Sequence, residues 1–115
     1  MTKYNARKTT IDGIKFDSKK EADYYCELVL RKKAGDILDF DLQPDFHLQE
    51  PFTDNMGKKH RAIKYIADFI IYHNLPTEEK FKVEVVDVKG FKTKEYQIKK
   101  KLFLKKYPHC KFTEV

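Results

Sequence analysis

Three charged residues in the second half of this 115-residue chain stand where charge is unexpected. Asp87 and Lys89 close the β-prone run FKVEVVDV that begins at Phe81, and because they are two apart they leave a strand on the same side. They can address one ligand. Asp68 lies inside YIADFII, where a carboxylate is costly to bury unless a cation compensates it. If the two strands are neighbours, Asp68 and Asp87 can share a hard divalent cation, with the backbone carbonyl of Val88 as a further oxygen ligand. Such ligands suit magnesium, or manganese in its place, rather than zinc. The ion would polarise a phosphoryl oxygen and lower the pKa of attacking water, and Lys89 would orient that water or stabilise the developing charge. Two plainer readings stand beside this one. Asp68 could be an edge residue or be bridged to a lysine, and an Asp-x-Lys triplet often arises by chance.

Positioning these residues requires two adjacent strands, and the surrounding sequence supplies them. Ala62 to Tyr72 is rich in Ile, Tyr and Phe and reads as a central strand. The turn-like Leu75-Pro76-Thr77-Glu78-Glu79 separates it from Phe81 to Val88, so the pair reads as a hairpin. Earlier in the chain, Asp12-Gly13 between Thr9-Thr10-Ile11 and Ile14-Lys15-Phe16 predicts a short tight hairpin. Ser18 followed by Glu21 is a capping-box pattern, and Ala22, Tyr25, Cys26, Val29 and Leu30 recur with helical spacing. A helix is expected over 18–34, ended by Gly35. A strand follows near 44–50, interrupted by Pro44, and 51–60 reads as a loop. Beyond Gly90, Thr93 can cap a helix through about Lys106, and Pro108 precedes a last strand from Cys110 to Val115. The expected order is helix, three strands, helix, strand, after an N-terminal β-hairpin, in one α/β (α+β) domain spanning 1–115.

Composition narrows the setting. The net charge of +6 is carried by the end of the chain, since residues 89–115 hold nine lysines against two glutamates. A basic segment starting at the Asp-x-Lys motif suits a polyanion, whose phosphates release counterions to lysine, although a solvated lysine-rich helix would look the same. No apolar run approaches the roughly 18 residues needed to span a bilayer, and the N-terminus lacks a signal-peptide core, so a soluble cytoplasmic protein with no membrane partner is expected. Cys26 and Cys110 are too few for a disulfide framework and read as buried free thiols. His47, His60, His73 and His109 lack zinc-site spacing and receive no role. No glycine-rich phosphate loop is present.

An aspartate on one strand, Asp-Val-Lys on the next, and the order helix, three strands, helix, strand together resemble the PD-(D/E)XK nucleases, which include restriction endonucleases and Holliday-junction resolvases. The similarity is closer still to a small family of phage and prophage proteins of about this length. The matching stretches are Lys3 to Ala6, Asp12 to Ala22, Leu42 to Pro44, Tyr65 to Phe69 and Asp87 to Tyr96. The superfamily's proline before the first aspartate is replaced here by Ala67. The resemblance implies a restriction-endonuclease-like core and magnesium-dependent hydrolysis of DNA phosphodiesters. The favoured form is structure-selective, resolvase-like cleavage in phage recombination, replication or packaging. By analogy it also implies a homodimer.

The resemblance further marks Glu21 as a first-helix carboxylate that completes the metal site; locally the same residue is at N3 and could simply cap Ser18. Tyr96 and Lys100, four apart on the second helix, share a face and are secondary candidates at the scissile phosphate. Alternatively Tyr96 belongs to an apolar row with Phe103 and Tyr107. Gln43 is a further polar candidate. Glu84 should face away from Asp87. Lys3, Arg7, Lys8, Lys19, Lys92, Lys94 and Lys99 are candidate phosphate contacts or ordinary surface charge. The alternatives to a nuclease are a DNA-binding accessory without turnover and a structural protein whose carboxylates form internal salt bridges.

Overall fold

The computed structural model describes residues 8–74, 80–88 and 92–115. Local chemistry explains its first elements. Strands β1 (Thr9–Ile11) and β2 (Ile14–Phe16) pair antiparallel across Asp12-Gly13. Both turn residues have positive φ, 53° and 78°, as a two-residue type I′ hairpin requires. Helix α1 (Lys19–Ala34) starts at Ser18, whose Oγ accepts the Glu21 N–H at 3.1 Å. It stops at Gly35, where φ of 82° lets the Gly35 and Asp36 N–H groups close back on Lys32 and Arg31. Its buried face is Ala22, Tyr25 and Leu28, with Cys26 and Val29 partly buried. Leu30, expected on that stripe, is 66% exposed instead.

The remaining elements are β3 (Asp39–Leu42), β4 (Asp45–Gln49), β5 (Phe52–Thr53), β6 (Lys59–His60), β7 (Ile63–Ile66), β8 (Phe69–Tyr72), β9 (Val83–Asp87), α2 (Lys94–Lys106) and β10 (Lys111–Glu114). A four-stranded sheet has the order β10-β9-β8-β3, with β3, β8 and β9 mutually antiparallel and β10 parallel to β9. The expected β8–β9 hairpin pairing, the second helix with its Thr93 cap and the last strand are all present. The class is mixed α and β.

The strand expected over 62–72 is broken, the one expected near 44–50 is preceded by a further strand, and the two interruptions face each other. The region 38–50 divides at Gln43-Pro44 into β3 and β4, while 62–72 divides at Ala67-Asp68 into β7 and β8. Gln43 has a left-handed φ of 50°, and Pro44 has no N–H to offer a ladder. The Pro44 carbonyl accepts the Ala67 N–H at 3.2 Å, and the Gln43 N–H donates to the Asp68 carbonyl at 2.9 Å. Both chains therefore swing at the same place, from the four-stranded sheet into a separate β4–β7 ribbon. The expected loop 51–60 contains the short β5–β6 pair that prolongs this ribbon.

Each face of the sheet carries a core. On the α1 side are Phe16, Tyr25, Leu28, Ile37, Phe69, Ile71 and Val86; on the α2 side are Tyr65, Ala67, Val85, Tyr96 and Phe103. Alternation along β9 thus sends Val86 toward α1 and Val85, with Asp87 two residues on, toward α2. Cys26 and Cys110 are free thiols and only half-buried, because each lies at the margin of a core. Among the described residues no helix is long and apolar enough to cross a membrane.

Candidate functional site

Asp87 ends β9 with no solvent exposure, its Oδ2 accepting the hydroxyl of Tyr65. Tyr65 reaches it from β7, the ring packed among Phe46, Tyr96, Phe103 and Phe112. Burial first, and then the Asp87 carboxylate, push the Tyr65 hydroxyl well above the usual phenol range, so it stays a proton donor to Asp87.

Asp68 occupies the break between β7 and β8 rather than a strand interior, and it is half-buried rather than buried. Its Oδ2 accepts the Val88 N–H at 2.6 Å and its own N–H donates to the Val86 carbonyl at 3.1 Å. Phe69 and Ile71 face α1, whereas Ile70 packs in the α2-side core. Asp68, two residues before Ile70, therefore shares the α2 side with Asp87, and the charges of both bear on the Tyr65 hydroxyl. Two aspartates from adjacent antiparallel strands meet at one end of one face. Val88, expected to offer a carbonyl, is tied to Asp68 through its N–H.

A second group adjoins them. Glu114 on β10 is the in-register partner of Asp87, and the next N–H, of Val115, donates to the Asp87 carbonyl at 2.9 Å. The Tyr96 hydroxyl donates to Glu114 at 2.6 Å, while Lys100 and Lys92 approach it at 2.9 and 3.2 Å. The Tyr96 hydroxyl first, and then Lys100, hold the Glu114 carboxyl down at about 2, and burial with Glu114 beside it pushes the Tyr96 hydroxyl up. Tyr96 and Lys100 do share a face, as their spacing predicts, and they converge on this carboxylate. Tyr96 also packs in the α2-side core with Phe103 and Tyr107, so its two sequence readings coexist. Glu114 and Tyr65 were not selected from sequence. The only signal for Glu114 was a carboxylate in a strand following a basic helix, and its register with Asp87 is a long-range fact.

The other candidates are dispersed. Glu21 is 7% exposed at N3 of α1, where its backbone N–H donates to the Ser18 hydroxyl, the half of a capping box that belongs to Ser18. Among the described residues no group of three or more His, Cys, Asp and Glu is placed to hold a metal ion. Gln43 is exposed and meets Asp68 through its backbone. Lys8, Lys19 and Lys94 are exposed, Lys19 being paired with Asp23. Lys99 is half-buried beside Glu95. Lys92 is drawn to Glu114. Glu84 faces the α1 side, as alternation predicts, where it meets His73 at 2.8 Å and the Thr113 hydroxyl. His73, given no role from sequence, is thus a buried partner of that carboxylate. Lys89, Lys3 and Arg7 lie outside the described residues.

A groove of about 470 Å³ over the α2 side is lined by Lys64, Tyr65, Tyr96 and Lys99, and another of about 650 Å³ by Lys92, Lys100, Ile98 and Glu114. Asp68 and Asp87 line neither groove; their carboxylate oxygens are hard donors, of the type that divalent magnesium or manganese takes rather than a soft metal.

Compared with known families, residues 1–115 match the one described as "Protein of unknown function (DUF1064)". Neither the curated proteins nor the solved structures offered a match.

Proposed function

For this chain, which belongs to the DUF1064 family, we propose metal-dependent hydrolysis of DNA phosphodiester bonds on a PD-(D/E)XK-type core. The observation that carries the reading is the meeting of Asp68 and Asp87 at one end of one sheet face, on adjacent antiparallel strands. The order α1, then β3, β8 and β9, then α2 and the parallel β10 supports it, because this is the order the resemblance implies.

In this reading Asp68 and Asp87, with the Val88 carbonyl and Glu21 as further candidates, hold Mg2+, and Mn2+ substitutes for it. The bound ion supplies charge neutralisation and an acidified water. The chain's own groups do the rest. Tyr65 holds the Asp87 carboxylate in place by donating to it. Lys89, following Asp87 by two residues, stabilises charge at the scissile phosphate, and Tyr96 and Lys100 approach the same phosphate from α2. Lys3, Arg7, Lys8, Lys19, Lys92, Lys94 and Lys99 contact flanking phosphates. The substrate is branched DNA, cut by a homodimer in the cytoplasm of a phage-infected host.

The test is cleavage of labelled branched and linear DNAs by wild type, Asp68→Asn, Asp87→Asn and Lys89→Ala, with magnesium or EDTA. EDTA and each substitution should abolish cleavage while the melting temperature and much of the DNA binding persist. Full activity in any variant, or in EDTA, rejects the proposal. Binding without cleavage by wild type would identify a DNA-binding accessory instead.

A further inference from the structure

The segment that leaves the sheet at Asp68 ends in a tip built with unusual care. Beyond the β4–β7 pairing, β5 and β6 close a hairpin in which Phe52 and His60 stack at 4.7 Å. Asp54 organises the turn: its Oδ1 accepts the Met56 and Lys58 N–H groups at 2.9 and 3.0 Å, and its Oδ2 meets the His60 ring at 2.8 Å. The Asp54 N–H donates to the Lys58 carbonyl at 2.9 Å, and Gly57 takes a φ of 85° to complete the reversal. This ordered turn holds Met56 in water at 87% exposure, the highest among the large apolar side chains described. Lys58, Lys59 and Arg61 surround it, all exposed, and among the described residues no carboxylate is paired with any of the three. By contrast, Lys92 and Lys100 in the groove beside α2 are already drawn to Glu114.

We propose that the ribbon 45–66 is an arm that grips duplex DNA, with Lys58, Lys59 and Arg61 on the phosphates and Met56 as an apolar wedge in the groove. Three points select this partner. A two-stranded ribbon can enter a groove of the duplex, the major or the minor. Apolar side chains inserted at base steps are an established way to hold deformed DNA. The cations that would take up phosphate have no competing carboxylate. The arm is also continuous with the proposed site, since β7 carries Tyr65 and runs directly into Ala67 and Asp68. Ten residues of strand from Gly57 to Ala67 reach at most about 33 Å, so the tip contacts the duplex up to about one helical turn from the Asp68–Asp87 pair.

This inference rests on DNA being the substrate, and binding measured in EDTA separates the two. Fluorescence anisotropy would follow the full-length protein on 12- and 30-base-pair duplexes between 50 and 200 mM salt, values spanning the usual range of counterion effects. Wild type should prefer the longer duplex. Lys58→Ala/Lys59→Ala/Arg61→Ala should lose that preference, weaken about 10- to 100-fold and reduce the log–log salt slope by about 3. Met56→Ala should weaken binding several-fold with the slope unchanged. The tip belongs to neither core, so both variants should melt with wild type. An unchanged affinity and slope in the triple variant overturns the arm, and a neutral Met56→Ala overturns the wedge. No DNA binding by wild type overturns the DNA reading and the arm with it.

Discussion

Replacing Glu114 by glutamine removes one charge and almost no volume, which makes it a clean probe of the network beside Asp87. Glu114 accepts from Tyr96, Lys100 and Lys92, and these partners lower its pKa from the ordinary 4.5 to about 2. At about 1.4 kcal/mol for each tenfold change, the ceiling on the stabilisation is about 3 kcal/mol. Glu114 is 20% exposed and its lysine partners 31% and 50%, so solvent screening cuts this to about 1.5 kcal/mol. The folded pKa is the depressed one, so the stabilisation is complete above about pH 5 and is lost as pH falls through about 2. Urea unfolding of wild type and Glu114→Gln at pH 7 should differ by about 1 M in midpoint, for a slope of about 1.5 kcal/mol per M. At pH 3 the gap should shrink by more than half. Equal gaps at both pH values would mean that glutamine disturbs packing rather than charge. No gap at pH 7 would mean that the network contributes nothing to folding.

Two further outcomes are expected. Phe103→Ala removes a fully buried ring that touches Phe46, Tyr65, Tyr107 and Phe112, and should destabilise the fold by about 3–5 kcal/mol in equilibrium unfolding. Glu21→Gln retains a side chain that can serve at N3 of a capped helix but removes its charge. It should cost less than about 0.5 kcal/mol of stability while lowering magnesium-dependent cleavage at least tenfold, and equal, small effects on both would leave Glu21 a cap alone.

What sequence alone determined about this protein is local. Both helices start where Ser18 and Thr93 can accept an N–H three residues on, α1 stops where Gly35 can take a left-handed φ, and Asp12-Gly13 makes its hairpin, because in each case the interacting groups lie within a few bonds of one another. The shared face of Asp87 with its strand neighbours likewise follows from a period of two. Within Ile63 to Tyr72 the poor strand formers Ala67 and Asp68 sit together, but two such residues in an otherwise β-prone run are too weak a signal to place a break. The break is imposed by Gln43 and Pro44 on the partner strand, some 25 residues away, as expected where pairing rather than propensity decides. Leu30 turned outward because Leu28 lies nearer the centre of the face that meets the sheet. Glu114 gained its place beside Asp87 from a parallel pairing that α2 must cross over to create. Tertiary structure therefore decided the surroundings of Asp68 and Asp87, the phenol on one and the backbone N–H on the other, since those contacts join groups about 20 residues apart that no local preference brings together.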